Sequence, residues 1–168
     1  DDFVKTDADK AWLKGFYPAF MANSQTGGKT WGIPFQRSTV VMYYNKEAFK
    51  EAGLDPNKAP QNWKELRDAA QKLTKKDANG NVTQYGIQIP STGFAYWMLQ
   101  TLTTPNGVLL ANEAGTKVTF DHPKVIEALD FWVNLTKDGV HPKGVVEWGT
   151  TPKDFMEKKA AIIVTTTG

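Results

Sequence analysis

The chain has 168 residues, 40% hydrophobic and 12% aromatic, which is enough for one domain with a proper core and unlike a disordered segment. Twenty Lys and Arg stand against eighteen Asp and Glu, and bases alternate with acids, as in Lys64-Glu65-Leu66-Arg67-Asp68, so no electrostatic footprint for nucleic acid is present. No cysteine occurs, which excludes disulfides, thiolate metal sites and cysteine nucleophiles and is compatible with a reducing or an oxidising compartment.

The opening residues Asp1-Asp2-Phe3-Val4-Lys5-Thr6 lack the basic and apolar regions of a secretory signal, and no run of about 18 apolar residues is present to span a membrane. Asp7 reads as the N-cap of a helix carrying Trp12, Phe16 and Phe20 near helical spacing, a pattern that Gly15 and Pro18 weaken. Residues 23–30 read as a turn. Residues 32–46 then read as a strand with Arg37-Ser38-Thr39 near its start and the β-branched and aromatic run Val40-Val41-Met42-Tyr43-Tyr44 after it. A short helix from Glu47 closes at Gly53.

Residues 54–61 contain two prolines and form a loop. Asn62 and Glu65 have the spacing of a capping box, and Leu66, Ala69, Ala70 and Leu73 supply one apolar helical face. A turn over residues 75–81 leads to the alternating strand Tyr85-Gly86-Ile87-Gln88-Ile89, with the polar cluster Ser91-Thr92-Gly93 beyond its end. The next helix carries Phe94, Trp97, Met98 and Leu102 and breaks at Pro105. Residues 117–120 read as a brief strand, and Asp121 as the cap of a helix with Pro123 in its first turn. Its expected buried stripe is Val125, Ile126, Leu129, Trp132, Val133 and Thr136, stopped by Gly139. Thr151-Pro152 starts a short helix through Phe155 and Met156, and residues 160–164 make the last strand. The chain stops just after that strand, where a further turn and helix are expected, which is the pattern of a piece of something larger.

This order of elements predicts an α/β architecture with parallel or mixed pairing, in which a ligand lies outside the carboxyl ends of strands. Arg37-Ser38-Thr39, Ser91-Thr92-Gly93 and Thr165-Thr166-Thr167-Gly168 are polar clusters placed to meet that rule. Catalytic candidates are sparse. His122 and His141 each precede a proline in separate polar turns and read as surface residues. No GxSxG, Walker A or GxGxxG string occurs, and Glu47 with Glu51 reads as a solvated helix face beside lysines. The sequon matches at Asn81 and Asn134 are discounted. No metal site and no cofactor is expected.

Trp12, Trp63 and Trp132 sit at helical positions with apolar neighbours and read as core. Trp97 and Trp148 stand beside glycines and small polar residues, where core and ligand contact are both open readings. An aromatic face next to hydroxyls suits a sugar or polyol, whose C–H faces stack on the ring. Arg37 suits a phosphate or carboxylate, or pairs locally on the surface.

Five strings, Trp31-Gly32-Ile33-Pro34-Phe35-Gln36-Arg37-Ser38-Thr39, Tyr43-Tyr44-Asn45-Lys46, Ala52-Gly53-Leu54-Asp55-Pro56, Asn62-Trp63-Lys64-Glu65-Leu66 and Phe155-Met156-Glu157-Lys158-Lys159-Ala160-Ala161-Ile162, resemble bacterial extracellular solute-binding proteins (family 1) of ABC importers. Within that group the chain is similar to the glycerol-3-phosphate and sugar-binding branch. The resemblance implies a type II periplasmic-binding-protein-like α/β fold with two lobes that close on a solute, perform no chemistry on it and deliver it to permease subunits. Members are more than twice as long, so the chain resembles their middle: residues 1–38 as the tail of the first lobe, 39–164 as the second lobe, and 165–168 as the return hinge. It also implies a periplasmic protein, or an extracellular lipid-anchored one, monomeric when intact, with no nucleic-acid partner.

Carried over residue by residue, Ser38 matches a serine that hydrogen-bonds solute, Thr166 a serine near the returning strand, and Trp97 with Phe94 a pair of tryptophans that sandwich the ligand. Phe94, Thr166 and Arg37 depart from the family's usual tryptophan, serine and small polar residue, which leaves glycerol-3-phosphate, a phosphodiester, a sugar and a polyol all open. The candidate ligand contacts are therefore Arg37, Ser38, Thr39, Phe94, Trp97, Trp148 and Thr166. The alternative is a sugar- or phosphate-processing hydrolase using a carboxylate such as Glu147.

Overall fold

The computed structural model describes residues 2–112 and 114–168, which divide into two compact units, one running to Thr39 and including Gly168, the other Val40–Thr167. In the first unit, helix α1 (Asp7–Lys14) is capped by Thr6, not by Asp7. Thr6 Oγ1 accepts from the Asp9 amide at 3.1 Å while the Asp9 carboxylate accepts from the Thr6 amide at 2.8 Å, a reciprocal box that Asp7 has no partner three residues on to make. The single helix expected through Phe20 is two: α1 ends at Gly15, and Pro18 opens a one-turn α2 (Pro18–Met21), because proline cannot donate back into a preceding turn. The turn at residues 23–30 contains a small hairpin of β1 (Gln25–Thr26) and β2 (Lys29–Thr30) around Gly27 and Gly28, whose φ of 57° and 72° are the left-handed pair that a two-residue hairpin loop requires.

The strand expected from Gly32 begins only at Val40. Glycine and Pro34 remove side-chain packing and an amide donor just where the segment would have to pair, and Phe35 is 99% exposed. From there the second unit forms. Strand β3 (Val40–Tyr44) leads through the cap Asn45, whose Oδ1 accepts from the Ala48 amide at 3.0 Å, into α3 (Lys46–Glu51). Helix α4 (Trp63–Leu73) is capped by Asn62 as predicted, with Oδ1 accepting from the Glu65 amide at 2.9 Å. The Glu65 carboxylate reaches one residue further back than a capping box, to the Gln61 amide.

A hairpin of β4 (Lys75–Lys76) and β5 (Val82–Gln84) follows, its turn organised by Asp77, then α5 (Ala95–Thr103), α6 (Pro123–Lys137), α7 (Thr151–Met156) and β6 (Ile162–Thr166). β6 pairs antiparallel with β3, Val40 opposite Thr166 and Tyr44 opposite Ile162. On the other side residues 85–88 make parallel bridges, Tyr85 with Ala160 just before β6 and Gln88 with Ile163 within it, so the pairing is mixed as expected. The brief strand expected at residues 117–120 reduces to one bridge, Ala111 with Val118.

The core of the second unit gathers Phe49, Leu73, Ile87, Ile89, Met98, Leu135 and Ile162, each 2% exposed or less. Burying side chains of this size contributes about 1.5–3 kcal/mol each before conformational entropy is charged against it. Two expectations for α6 are corrected. Its cap is His122, whose Nδ1 accepts from the Lys124 amide at 3.2 Å, not Asp121. Its fully buried positions are Val125, Ala128 and Leu135, while Ile126, Leu129 and Val133 are exposed, because the neighbours of a helix and not its own pattern choose among adjoining apolar rows. Trp132 packs against the core and Trp63 stacks on Phe131 at 4.9 Å, but Trp12 is 54% exposed and pairs edge-on with Phe16.

Candidate ligand-binding site

Two segments of the second unit run side by side, residues 87–94 and 140–148. Their backbones meet where the Ile87 amide donates to the Val140 carbonyl at 3.1 Å and the Ser91 amide to the Val146 carbonyl at 2.9 Å. Small polar side chains finish the seam. Ser91 Oγ accepts from the Val146 amide at 3.0 Å, and Thr92 Oγ1 accepts from the Trp148 amide at 3.3 Å while donating to Glu147 Oε2 at 2.6 Å. Gly93 follows with φ 71°, and a Cβ on it would sit 3.0 Å from that of Trp148, so only glycine lets the chain turn this close to the indole.

That turn launches α5 and brings three rings together. Phe94 and Trp97 stack at 4.6 Å with an interplanar angle of 15°, and Trp148 meets them edge-on at 5.2 Å and 6.5 Å. Tyr96, 56% exposed, flanks the group at 5.6 Å from Trp97. Because Phe94 and Trp97 lie against each other, their outer faces and not a slot between them are on offer. The cluster is an apolar platform beside a carboxylate and a hydroxyl.

Of the seven residues picked out from the sequence, Phe94, Trp97 and Trp148 are thus brought into one cluster. Thr166 ends β6 opposite Val40, and its carbonyl accepts from the Tyr43 hydroxyl at 3.4 Å. Arg37, Ser38 and Thr39 are exposed residues of the first unit. The Arg37 guanidinium is engaged locally, donating to the Phe20 carbonyl at 2.8 Å and to that of Gln36 at 3.3 Å. A separate groove of about 630 Å³, lined by Met42, Trp63, Leu66, Met98 and Leu102 among others, touches none of the seven.

His141 corrects the surface-turn reading: it is 3% exposed. Its Nε2 lies 3.1 Å from both the amide and the carbonyl of Ile89, and Nδ1 lies 2.8 Å from the Pro142 carbonyl. Burial pushes its pKa below the ordinary imidazole value, against which the Pro142 and Ile89 carbonyls pull upward. Thr92 and His141 are not among the seven, and Glu147 entered the sequence reading only as the carboxylate of the hydrolase alternative. The signal for Thr92 was in view, since Ser91-Thr92-Gly93 stands out as a polar cluster after a strand.

A family model described as bacterial extracellular solute-binding protein matches residues 2–168. The chain is 34% identical over 125 residues to the sn-glycerol-3-phosphate-binding periplasmic protein UgpB of Brucella abortus (strain 2308), an alignment covering 72% of this chain and 28% of that relative's length. Among solved structures it is similar to an ABC transporter solute-binding protein of Thermotoga lettingae bound with alpha-D-tagatose, with a TM-score of 0.77, 25% identity, and coverage of 98% of this chain and 45% of that one. A solute-binding protein of Agrobacterium radiobacter K84 in complex with ribitol gives a TM-score of 0.76 at 25% identity, covering 98% of this chain and 40% of that one. The likeness gives the type II periplasmic-binding-protein-like fold. On these grounds the chain belongs to the bacterial extracellular solute-binding proteins.

Proposed function

We propose that this chain is the second-lobe portion of an ABC-importer receptor that works outside the cytoplasmic membrane, in the periplasm or anchored by lipid, as a monomer that hands its solute to permease subunits unchanged. In this reading residues 1–38 end the first lobe, 39–164 form the second and 165–168 return to the first. The intact receptor closes by hinge motion, and a solute touching both lobes stabilises the closed state. Ser38, Thr39 and Thr166 then supply hydrogen bonds from the hinge segments.

The observation that carries the solute reading is the platform of Phe94, Trp97 and Trp148 beside the Thr92–Glu147 pair. Aromatic faces take C–H surfaces, and a carboxylate is an acceptor for hydroxyl donors. This chemistry fits a sugar or polyol, as carried by the tagatose-bound and ribitol-bound neighbours. Glycerol-3-phosphate, named for the Brucella relative, is the second reading. It asks Arg37 to leave the Phe20 carbonyl and a phosphate to accept Glu147 as a neighbour. The hydrolase alternative is not favoured, since the family and the relatives are transport-associated binding proteins.

Isothermal titration of the longer parent protein with D-tagatose, ribitol and glycerol-3-phosphate tests this. A sugar or polyol binds, and Trp148→Ala weakens it about tenfold, the ~1.4 kcal/mol scale of one well-packed aromatic contact. Binding of none of the three, or an affinity indifferent to Trp148→Ala, sinks the assignment.

A further inference from the structure

Trp97 and Trp148 lie on segments distant in sequence, so a fixed angle between their rings requires that residues 87–94 be locked to residues 140–148. Most links of that seam are solvent-side or backbone contacts: Ile87 with Val140, Ser91 with Val146, and Thr92 with Glu147 and Trp148. One more is different in kind. His141 places a whole imidazole inside the protein, which is costly unless its polar atoms are used.

All of them are used. The Ile89 amide 3.1 Å from Nε2 can only donate, so Nε2 is its acceptor. In the neutral ring Nδ1 then carries the proton and donates to the Pro142 carbonyl at 2.8 Å, with the Thr136 hydroxyl also 3.1 Å away. One ring therefore joins the loop leaving α6 to the residue two places before Ser91, where the chain turns toward the aromatic cluster.

We propose that His141 is a positioning residue: its buried imidazole, clamped to Ile89, holds residues 91–97 against the Trp148 segment and sets the aromatic platform before solute arrives. Ordering done in advance is not charged to binding, so such a clamp raises affinity without touching the solute. The role rests on reading Phe94, Trp97 and Trp148 as a solute surface, yet it has a signature of its own in the free chain.

The chain labelled with 5-fluorotryptophan gives one ¹⁹F resonance for each of its six tryptophans, and Trp97→Phe, Trp148→Phe and Trp63→Phe assign the three that matter. In His141→Leu the Trp97 and Trp148 resonances shift or broaden while that of Trp63, stacked on Phe131, stays in place. His141→Gln, which keeps a donor and an acceptor, returns both toward their native positions. Ser91→Ala cuts the same seam near the surface but leaves the imidazole in place, and moves the same two resonances less; His141→Phe, which keeps a ring and loses its hydrogen bonds, covers the case of a His141→Leu chain that does not fold. Unmoved Trp97 and Trp148 resonances in a folded His141→Leu, or in His141→Phe where only that variant folds, overturn the proposal, as does a Trp63 resonance that moves with them. Failure of the solute reading shows separately, as a Trp148→Ala parent protein that binds ribitol unchanged while the resonances still report the clamp.

Discussion

At Gly86 the constraint is proximity and not backbone conformation. A Cβ built there falls 1.9 Å from the Ala70 carbonyl oxygen and 2.6 Å from its Cα, so residues 85–89 cross α4 with backbone against backbone. Ala70 is itself fully buried and has nowhere to move. Gly86→Ala is expected to cost about 1–3 kcal/mol, the range for overpacking a filled core, and to lower the urea midpoint at constant slope; a midpoint left unchanged would contradict this close crossing. The same distinction between local and distant causes governs how much of the site could be read from the chain. Trp97, Trp148 and the cluster Ser91-Thr92-Gly93 are visible because rings, hydroxyls and glycine stand together in the sequence. The seam that joins them is not, since Ser91 meets Val146 across 55 positions. His141 looks like a turn residue because proline follows it, and only Ile89, 52 positions away, makes it an interior one.

Helix α4 shows an element specified almost wholly by local chemistry. Asn62 supplies the cap, and the Glu65 carboxyl, held below its ordinary range mainly by the Gln61 amide, fastens the incoming chain. Asn62→Ala is expected to cost about 1 kcal/mol, as loss of a capping oxygen does, seen as a lower midpoint in chemical denaturation; no loss would mean that the helix start is held by packing instead. Periodicity made α4 to α7 legible, helped by the Asn62 cap at α4 and by a proline in the first turn of α6 and of α7. Strands were less so, because a strand exists only against a partner. The polar-tipped run from Gly32 has the composition of one, but regular pairing starts at Val40, where β6 lies opposite. For α6 the apolar pattern was right and the expected stripe only partly so: Val125 is buried and Trp132 packs against the core, but Leu135 is buried beside them while Ile126, Leu129 and Val133 form a second row at helical spacing that is exposed.

Across the whole chain, stability is distributed unevenly. Both clusters of buried apolar side chains belong to Val40–Thr167, whereas α1 buries none of its residues and Met21 is the buried apolar residue of the first unit among those described. Backbone hydrogen bonds are of ordinary length in both places, 3.1 Å from Lys10 to Thr6 and 3.1 Å from Val164 to Gln88, so bond geometry does not rank them. What ranks them is the apolar surface that must be exposed to open each one. Opening α1 uncovers little beyond its capping box, while freeing the β6 amides means exposing Ile162, Ile163 and the residues packed on them. Hydrogen exchange on the free chain should therefore find α1 amides at least about a hundredfold less protected than those of Ile162 and Val164, a difference of ~2.7 kcal/mol in opening free energy. Equal protection would mean that α1 is held by far more than its own cap, and that the first unit draws on a stability its buried residues do not account for.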